Sequence, residues 1–157
     1  MKMRLLCLVS LALGLSGLAG CMNSINLGGV AVSIVDVKPA AGAPDNQAEL
    51  TLRFANENVM AFGLASSTHR LFLNGIYVGK VVNSTPVGLP AMAAATQAAT
   101  VQFENLALVR QLANSAGAKA TSYRLESQML ALSDDEKIHV KANDQGTVDL
   151  SPLAGVK

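Results

Sequence analysis

The side chains that most readily suggest catalysis are the two histidines of the chain, His69 and His139. His69 follows a Ser-Ser-Thr run, and a serine beside a histidine is the nucleophile–base pairing of many hydrolases. Nothing in the chain resembles the Gly-x-Ser-x-Gly turn of such enzymes, and no carboxylate can be assigned to orient the imidazole. His139 lies between Lys137 and Lys141 on the outward face of a predicted strand, a pattern typical of solvated surface. We therefore predict no catalytic residue and a protein that is not an enzyme.

Ligands for a metal or a phosphate are equally sparse. The run Asp134-Asp135-Glu136 offers the carboxylates that calcium prefers, but it lacks the spaced ligands of a calcium loop and predicts a solvated turn. Gly75 is accounted for by a predicted hairpin turn, so Gly75 and Gly79 are not predicted to form a phosphate-binding loop. Three scattered methionines are predicted to serve packing rather than metal binding: Met60, Met92 and Met129. We expect no metal and no cofactor.

A thiol near the amino terminus offers a different chemistry. Two basic residues precede an apolar run at positions 5–18, and the run ends in Leu18-Ala19-Gly20-Cys21. A charged start, a short apolar segment and small residues at a cleavage site are the pattern of a secretory signal peptide. A cysteine placed directly after the cut can carry a thioether-linked glyceride.

This four-residue stretch resembles the lipobox of bacterial lipoproteins. The resemblance implies that residues 1–20 are removed, that Cys21 is acylated, and that residues 21–29 tether the lipid to a domain. One alternative is a transmembrane helix, but the 16 residues from Leu5 to Gly20 fall short of the roughly 20 that span a bilayer. The other alternative is a chance cysteine after an ordinary signal peptide.

Composition limits the remaining possibilities. Removal of the signal would leave 137 residues, enough for one domain whose core folds without cross-links. Lys2 and Arg4 would leave with it, so 10 basic and 11 acidic residues would remain. This balance provides no basic field for nucleic acid and no polybasic patch for lipid headgroups. Cys7 also lies in the signal, so the domain would have no thiol for a disulfide.

Alternation of apolar and polar residues predicts a series of short strands. The clearest example covers positions 48–54, where Leu52 and Phe54 are predicted to face the core. Weaker patterns predict further strands at 30–37, 68–74, 76–82, 100–104, 120–132, 137–143 and 147–150.

Turn signals separate these strands. Asn74-Gly75 predicts a tight hairpin turn, since both residues tolerate positive φ. Residues 144–146 predict another turn, and the Ala-rich residues 91–99 are predicted to form a loop.

One helix is predicted, with Asn105 as its N-cap and Gly117 as its stop. About seven short strands with a single helix favour a mainly all-β fold, an antiparallel sandwich over residues 30–151 followed by a tail at 152–157.

Several of these elements match a known pattern in order. Leu50 to Asn58 resembles a strand that ends in Asn-Pro-Asn, although Glu57 replaces the proline, and a hairpin around Asn-Gly and a strand opened by tyrosine follow. This arrangement resembles the late-embryogenesis-abundant type 2 family, or WHy domain (water stress and hypersensitive response). The positions that carry the resemblance are Asn56, Asn58, Asn74, Gly75, Gly79 and Tyr123.

The resemblance implies an immunoglobulin-like or fibronectin-III-like sandwich and a non-enzymatic role in desiccation or osmotic stress. The partners expected are a membrane, reached through the lipid on Cys21, and partly unfolded proteins or envelope components. Because Met22 is not aspartate, analogy with Gram-negative lipoproteins favours the periplasmic face of the outer membrane. The alternative is a binding module that docks a specific envelope protein at a sheet edge marked by Pro86 and Pro90.

Overall fold

The computed structural model describes residues 29–133 and 136–155. The predicted signal peptide, the lipobox and Cys21 lie outside the described residues, as do Asp134 and Asp135 of the predicted acidic turn. Within the described ranges, the helices are too short or too polar to cross a membrane.

The described chain is mainly β, as the alternation predicts. Its α-helix, α1, spans Leu106–Ala113, and single 3-10 turns lie at Ala118–Ala120 and Ser151–Leu153. The strands are β1 (Val30–Pro39), β2 (Gln47–Asn56), β3 (Phe62–Leu73), β4 (Ile76–Asn83), β5 (Val87–Leu89), β6 (Ala94–Phe103), β7 (Thr121–Ser133) and β8 (Glu136–Val148).

Hydrogen bonds join all of these strands in one antiparallel sheet. The order is β1-β2-β6-β4-β3-β7-β8, with β5 beside the first part of β3. The sheet curls into a half-barrel, so its terminal strands β1 and β8 lie against each other. The mainly β, antiparallel class is therefore confirmed. The finer expectation of a two-sheet immunoglobulin-like or fibronectin-III-like sandwich is not confirmed, because the hydrogen bonding runs through one continuous sheet.

Tyr123 on β7 closes the gap between the two sides of the half-barrel. Its hydroxyl accepts a buried hydrogen bond of 3.1 Å from the backbone N–H of Ile34 on β1. The Tyr123 ring lies over its cross-strand partner Gly146, where a Cβ atom would come within 2.9 Å of the hydroxyl oxygen. Gly146 therefore makes room for the ring, and the Tyr123 hydroxyl accepts from a backbone N–H of β1.

The core lies inside the curl and is made of alternate strand residues. Leu52 and Phe54 on β2 are fully buried while Arg53 between them is exposed, which confirms the predicted facing. Alternate residues of β3 and β7 are buried as well: Leu71, Leu73, Tyr123, Leu125, Ser127 and Met129. Apolar side chains from the strands, from α1 and from the 3-10 turn at 151–153 thus fill one connected core.

Two predictions at the Ala-rich segment and at β3 are wrong. Residues 91–99 were expected to form a loop, but β6 begins at Ala94 and pairs with β2 from Ala55 to Gln47. The ladder hydrogen bonds of this pairing override the weak strand preference of alanine. Similarly, β3 begins at Phe62, well before the predicted start at residue 68.

The predicted ends of β8 and α1 are also wrong. Residues 144–146 do not turn, since β8 pairs with β7 continuously to Val148, and Gly146 serves the Tyr123 ring instead. α1 ends at Ala113 with Asn114 as its C-cap, before the predicted stop at Gly117. Its predicted start is confirmed, because the Asn105 side chain accepts a hydrogen bond from the N–H of Leu108.

The half-barrel has two dissimilar ends. The helix end is formed by α1, the 3-10 turns at 118–120 and 151–153, and the β3–β4 turn at Asn74 and Gly75. The asparagine end is formed by Gly29, the loop at 57–61 and the turn at 90–93, which surround Asn56. The 12-residue strand β3 runs from the asparagine end to the helix end, a separation of about 36 Å.

Candidate functional site

His69, the one described histidine with serine hydroxyls beside it, is fully buried in the middle of β3. Its Nδ1 atom lies 2.8 Å from Ser127 Oγ and its Nε2 atom lies 2.9 Å from Ser67 Oγ. The ring also packs 5.9 Å from the ring of Phe54, centroid to centroid. Both ring nitrogens are therefore hydrogen-bonded inside the core, and the arrangement is a buried polar cluster.

Burial sets the protonation state of this cluster. Desolvation lowers the pKa of His69 from 6.5 to about 4, because the imidazolium would have to be buried among apolar side chains. The neutral ring donates from one nitrogen and accepts at the other, which matches a hydroxyl on each side. The chemistry of His69 is thus that of a neutral hydrogen-bonding core residue.

Asn56 organises the asparagine end of the half-barrel. This buried side chain donates through Nδ2 to the carbonyl oxygens of Met60 at 2.9 Å, Pro90 at 3.0 Å and Leu89 at 3.3 Å. Its Oδ1 atom accepts from the backbone N–H and the side-chain Nδ2 of Asn58, each at 2.9 Å. One amide therefore holds the 57–61 loop and the 90–93 turn together.

Asn58 and its neighbour extend this network to the first described residue. The carbonyl of Gly29 accepts from the Glu57 N–H at 2.7 Å and from Asn58 Nδ2 at 3.5 Å. The Asn58 carbonyl accepts from the Met92 N–H at 3.0 Å. Asn56 and Asn58 thus belong to one hydrogen-bond network. Glu57, which stands where the resembled motif has proline, donates a backbone N–H that proline lacks.

The other motif positions lie elsewhere and have structural roles. Asn74 and Gly75 adopt φ values of 47° and 81°, which confirms the predicted tight turn. Gly79 lies where β6 crosses close to β4, and a Cβ atom there would come within 2.2 Å of the Gln102 carbonyl oxygen. Tyr123 closes the half-barrel, so the structure groups only Asn56 and Asn58 at one site.

Apolar side chains are exposed around the asparagine network. Val59 is 85% exposed, Met60 55% and Met92 68%. The prediction that Met60 and Met92 serve packing is therefore wrong, while Met129 is buried as predicted. Met92 also has a φ of 52°, a left-handed conformation that long side chains rarely adopt.

A second surface feature, on the outer face of the sheet, combines aromatic and charged groups. The rings of Phe72 and Tyr77 meet edge to face at 5.5 Å, and the Arg70 guanidinium lies 5.2 Å from each ring. Arg124 stacks on Phe72 at 3.9 Å, and both arginines pair with Glu126. Such stacked and paired guanidinium groups are held in defined positions.

This aromatic cluster borders a groove of about 530 Å³. Arg70, Lys80 and Lys141 line the groove against one carboxylate, Glu126, so its charge is net positive. The hydroxyl of Tyr77 donates to Glu104 at 2.7 Å, and this bond raises the pKa of Tyr77. The grouping of these side chains depends on cross-strand register, so the sequence alone provides no signal for it.

Two charged positions that the sequence singled out remain at the surface. His139 is exposed on the outer face of β8 between Lys137 and Lys141, as predicted. Glu136, the described residue of the acidic turn, is exposed at the start of β8. Among residues 29–133 and 136–155, no three His, Cys, Asp or Glu side chains gather as a metal site would require.

Comparison with known proteins gives a match in fold but none in sequence. A scan against protein-family profiles gave no match, and a search of curated proteins gave none either. The fold is similar to the solution structure of AT1g01470 from Arabidopsis thaliana, with a TM-score of 0.51 and 14% identity over 77% of this chain and 78% of that one.

Two further solved structures align less closely. A crystal structure of a protein from Archaeoglobus fulgidus gives a TM-score of 0.44 at 16% identity, covering 74% of this chain and 97% of that one. The solution structure of At2g46140.1, described as a candidate late embryogenesis abundant (LEA) protein, gives 0.42 at 11% identity over 78% and 72%. At these identities the likeness concerns the fold alone.

Proposed function

We propose that this protein is a lipid-anchored component of a bacterial envelope that protects it under desiccation or osmotic stress without catalysis. The anchor rests on the lipobox-like stretch that ends in Cys21. The stress role rests on the resemblance of the Asn56–Asn58 and Asn74–Gly75 motifs to the late-embryogenesis-abundant type 2 family. Placement at the periplasmic face of the outer membrane is part of the same proposal.

The observation that carries the protective role is the groove on the outer face. It offers a tyrosine ring, three cations and a carboxylate side by side on an exposed surface. Partly unfolded proteins expose peptide groups and side chains of every type, so a mixed surface of this kind can contact many of them weakly. The excess of Arg70, Lys80 and Lys141 over Glu126 favours acidic segments.

A drying assay tests this role. Residues 23–157, once shown to melt cooperatively, would be dried with a labile enzyme beside an unrelated β-protein of equal mass. We expect more enzyme activity to survive than with the control protein, and less with Lys80→Glu/Lys141→Glu. The matched control is Arg53→Glu/Lys119→Glu, which reverses two exposed cations outside the groove. Protection no better than that of the unrelated protein would refute the role.

The lipid anchor has its own test. Cys21→Ser removes the thiol that would carry the glyceride, so normal maturation should stop. Intact-mass spectra of the wild-type protein and this variant, both isolated from membranes, measure the difference. A wild-type mass without acyl chains would contradict the anchor and leave the groove hypothesis standing.

The second candidate function is a binding module for one envelope protein. Its support is β5, a three-residue strand between Pro86 and Pro90 that hydrogen-bonds to β3 along one side. The other side of β5 faces β6, so a partner strand could be added here only by displacing that contact. Cross-linking in intact envelopes distinguishes the two functions, because a single partner in stoichiometric yield favours the module and many weak partners favour general protection.

A further inference from the structure

Exposed apolar side chains are concentrated at the asparagine end. Seven large apolar side chains among the described residues are exposed, and four of them lie at this end: Val59, Met60, Met92 and Leu132. Leu132 lies at this end because β7 pairs with β3 and places it opposite Gly63, near the start of β3. The helix end has Ile76 alone, at 52% exposure.

The three most exposed of these side chains are held as a unit. Val59 and Met60 project from the 57–61 loop and Met92 from the 90–93 turn. Asn56 donates to carbonyls on both segments, and the Asn58 carbonyl accepts from the N–H of Met92, whose backbone is left-handed. The left-handed backbone at Met92 does not improve packing of the core, since its side chain is exposed.

The chain enters the domain at the same place. Gly29 is hydrogen-bonded to Glu57 and Asn58, directly beside the exposed loop. Eight residue steps separate Gly29 from Cys21, so the intervening chain spans at most about 30 Å. A lipid on Cys21 would therefore keep this end of the half-barrel near the bilayer surface, with the helix end about 36 Å further out.

We propose that the asparagine end is a membrane-contacting tip that inserts Val59, Met60 and Met92 into the interface of the bilayer that holds the anchor. This inference rests on the proposed lipid anchor. The described charges at this end, Glu57, Glu136 and Lys137, form no basic cluster. The contact is therefore apolar, and it requires no anionic lipid.

The experiment uses the absence of free thiols in the mature chain. With Cys7 removed and Cys21 acylated, a single new cysteine can be labelled with an environment-sensitive fluorophore. Val59→Cys and Met92→Cys would place the label at the tip, and Ile76→Cys would place it at an apolar site at the helix end that is 52% exposed. The acylated proteins would be purified from membranes and reconstituted in phosphatidylcholine vesicles that carry a lipid-attached quencher.

We expect a blue shift and severalfold stronger quenching at positions 59 and 92 than at 76. Acylated protein whose three labels behave alike would overturn the membrane-contacting tip and leave the anchor intact. A blue shift at 59 and 92 that depends on protein concentration and not on vesicles would overturn it in favour of a second copy. An intact mass without acyl chains, which is measured before reconstitution, would defeat the anchor and with it the tethered contact.

Discussion

Different kinds of interaction close the two ends of the half-barrel. At the helix end, α1 places Val109 and Ala113 against the core, and Leu153 packs beside them. At the asparagine end, Phe62 and Leu89 are buried in the core, and hydrogen bonds from one buried amide to carbonyls of the 57–61 loop, β5 and the 90–93 turn hold the surface segments. Apolar packing of a helix therefore covers one end, and hydrogen bonds between a side chain and backbone carbonyls hold the loops at the other.

This difference determines which side chains remain free. The apolar residues of α1 are buried against the core, so the helix presents its polar side to solvent. Hydrogen-bonded loops do not need their side chains for closure, so Val59, Met60 and Met92 are available at the surface. The asparagine end can therefore present apolar side chains to an external surface without weakening the core.

The largest expected effect compares the core at the two ends. Phe54, fully buried on β2 near the asparagine end, should lose about 3–5 kcal/mol of unfolding free energy in Phe54→Ala. Val109→Ala at the helix end removes two methyl groups and should lose roughly 2 kcal/mol. Urea titration at pH 7 measures both. A loss below about 1 kcal/mol for Phe54→Ala would contradict its facing.

Protonation of His69 tests the middle of the barrel, between the two ends. Its folded-state pKa of about 4 lies below the ordinary 6.5, so the unfolded chain binds the proton more tightly. The stability from the neutral ring is complete above pH 6.5 and declines by about 3 kcal/mol as pH falls to about 4. Urea titrations between pH 7 and 4 should show this slope.

His69→Gln is the control for that prediction, since glutamine keeps a hydrogen-bonding group but does not titrate. Its stability should fall less between pH 6.5 and 4 than that of the wild type, whatever its stability at pH 7. Equal slopes in the two proteins would mean that other groups cause the decline.

The sequence predicted local features of the fold better than its long-range arrangement. The facing of Leu52 and Phe54, the turn at Asn74 and the cap at Asn105 all follow from residue periodicity or backbone preference. The strand at Ala94 depends on its pairing with β2, which a local window cannot see. Gly146 suggests a turn by type, yet its role comes from Tyr123, more than twenty residues away.

The same distinction applies to the candidate sites. The resemblance singled out Asn56 and Asn58 as motif residues, but their partners Pro90 and Gly29 lie about thirty residues away in either direction. The sequence also treated Met92 as a packing residue, because its type favours burial. Its exposure occurs in a left-handed turn whose N–H bonds to the Asn58 carbonyl, a contact that a local sequence window cannot see.

A matched pair of asparagines tests the difference between the two ends. Asn56→Ala would leave buried carbonyls and the Asn58 N–H without partners, so we expect a loss of about 2–3 kcal/mol. Asn105→Ala removes one N-cap bond at the helix end and should lose about 1 kcal/mol. Hydrogen exchange should show faster opening of the 57–61 loop in Asn56→Ala alone. Comparable losses, or the same exchange pattern in both, would contradict a hydrogen-bonded closure.

The smallest expected effect concerns how tightly the strands approach each other near each end. Gly79→Ala on β4 would place a Cβ atom 2.2 Å from the Gln102 carbonyl oxygen, and the backbone must move, so we expect a loss of about 1–3 kcal/mol. Gly63→Ala on β3, near the asparagine end, meets no atom within 4 Å, so its stability should be unchanged or rise by about 0.5 kcal/mol. Thermal unfolding of the two variants measures the contrast. If Gly63→Ala were the more destabilising, the asparagine end would be the tighter one, and the freedom of its loops to display apolar side chains would need another cause.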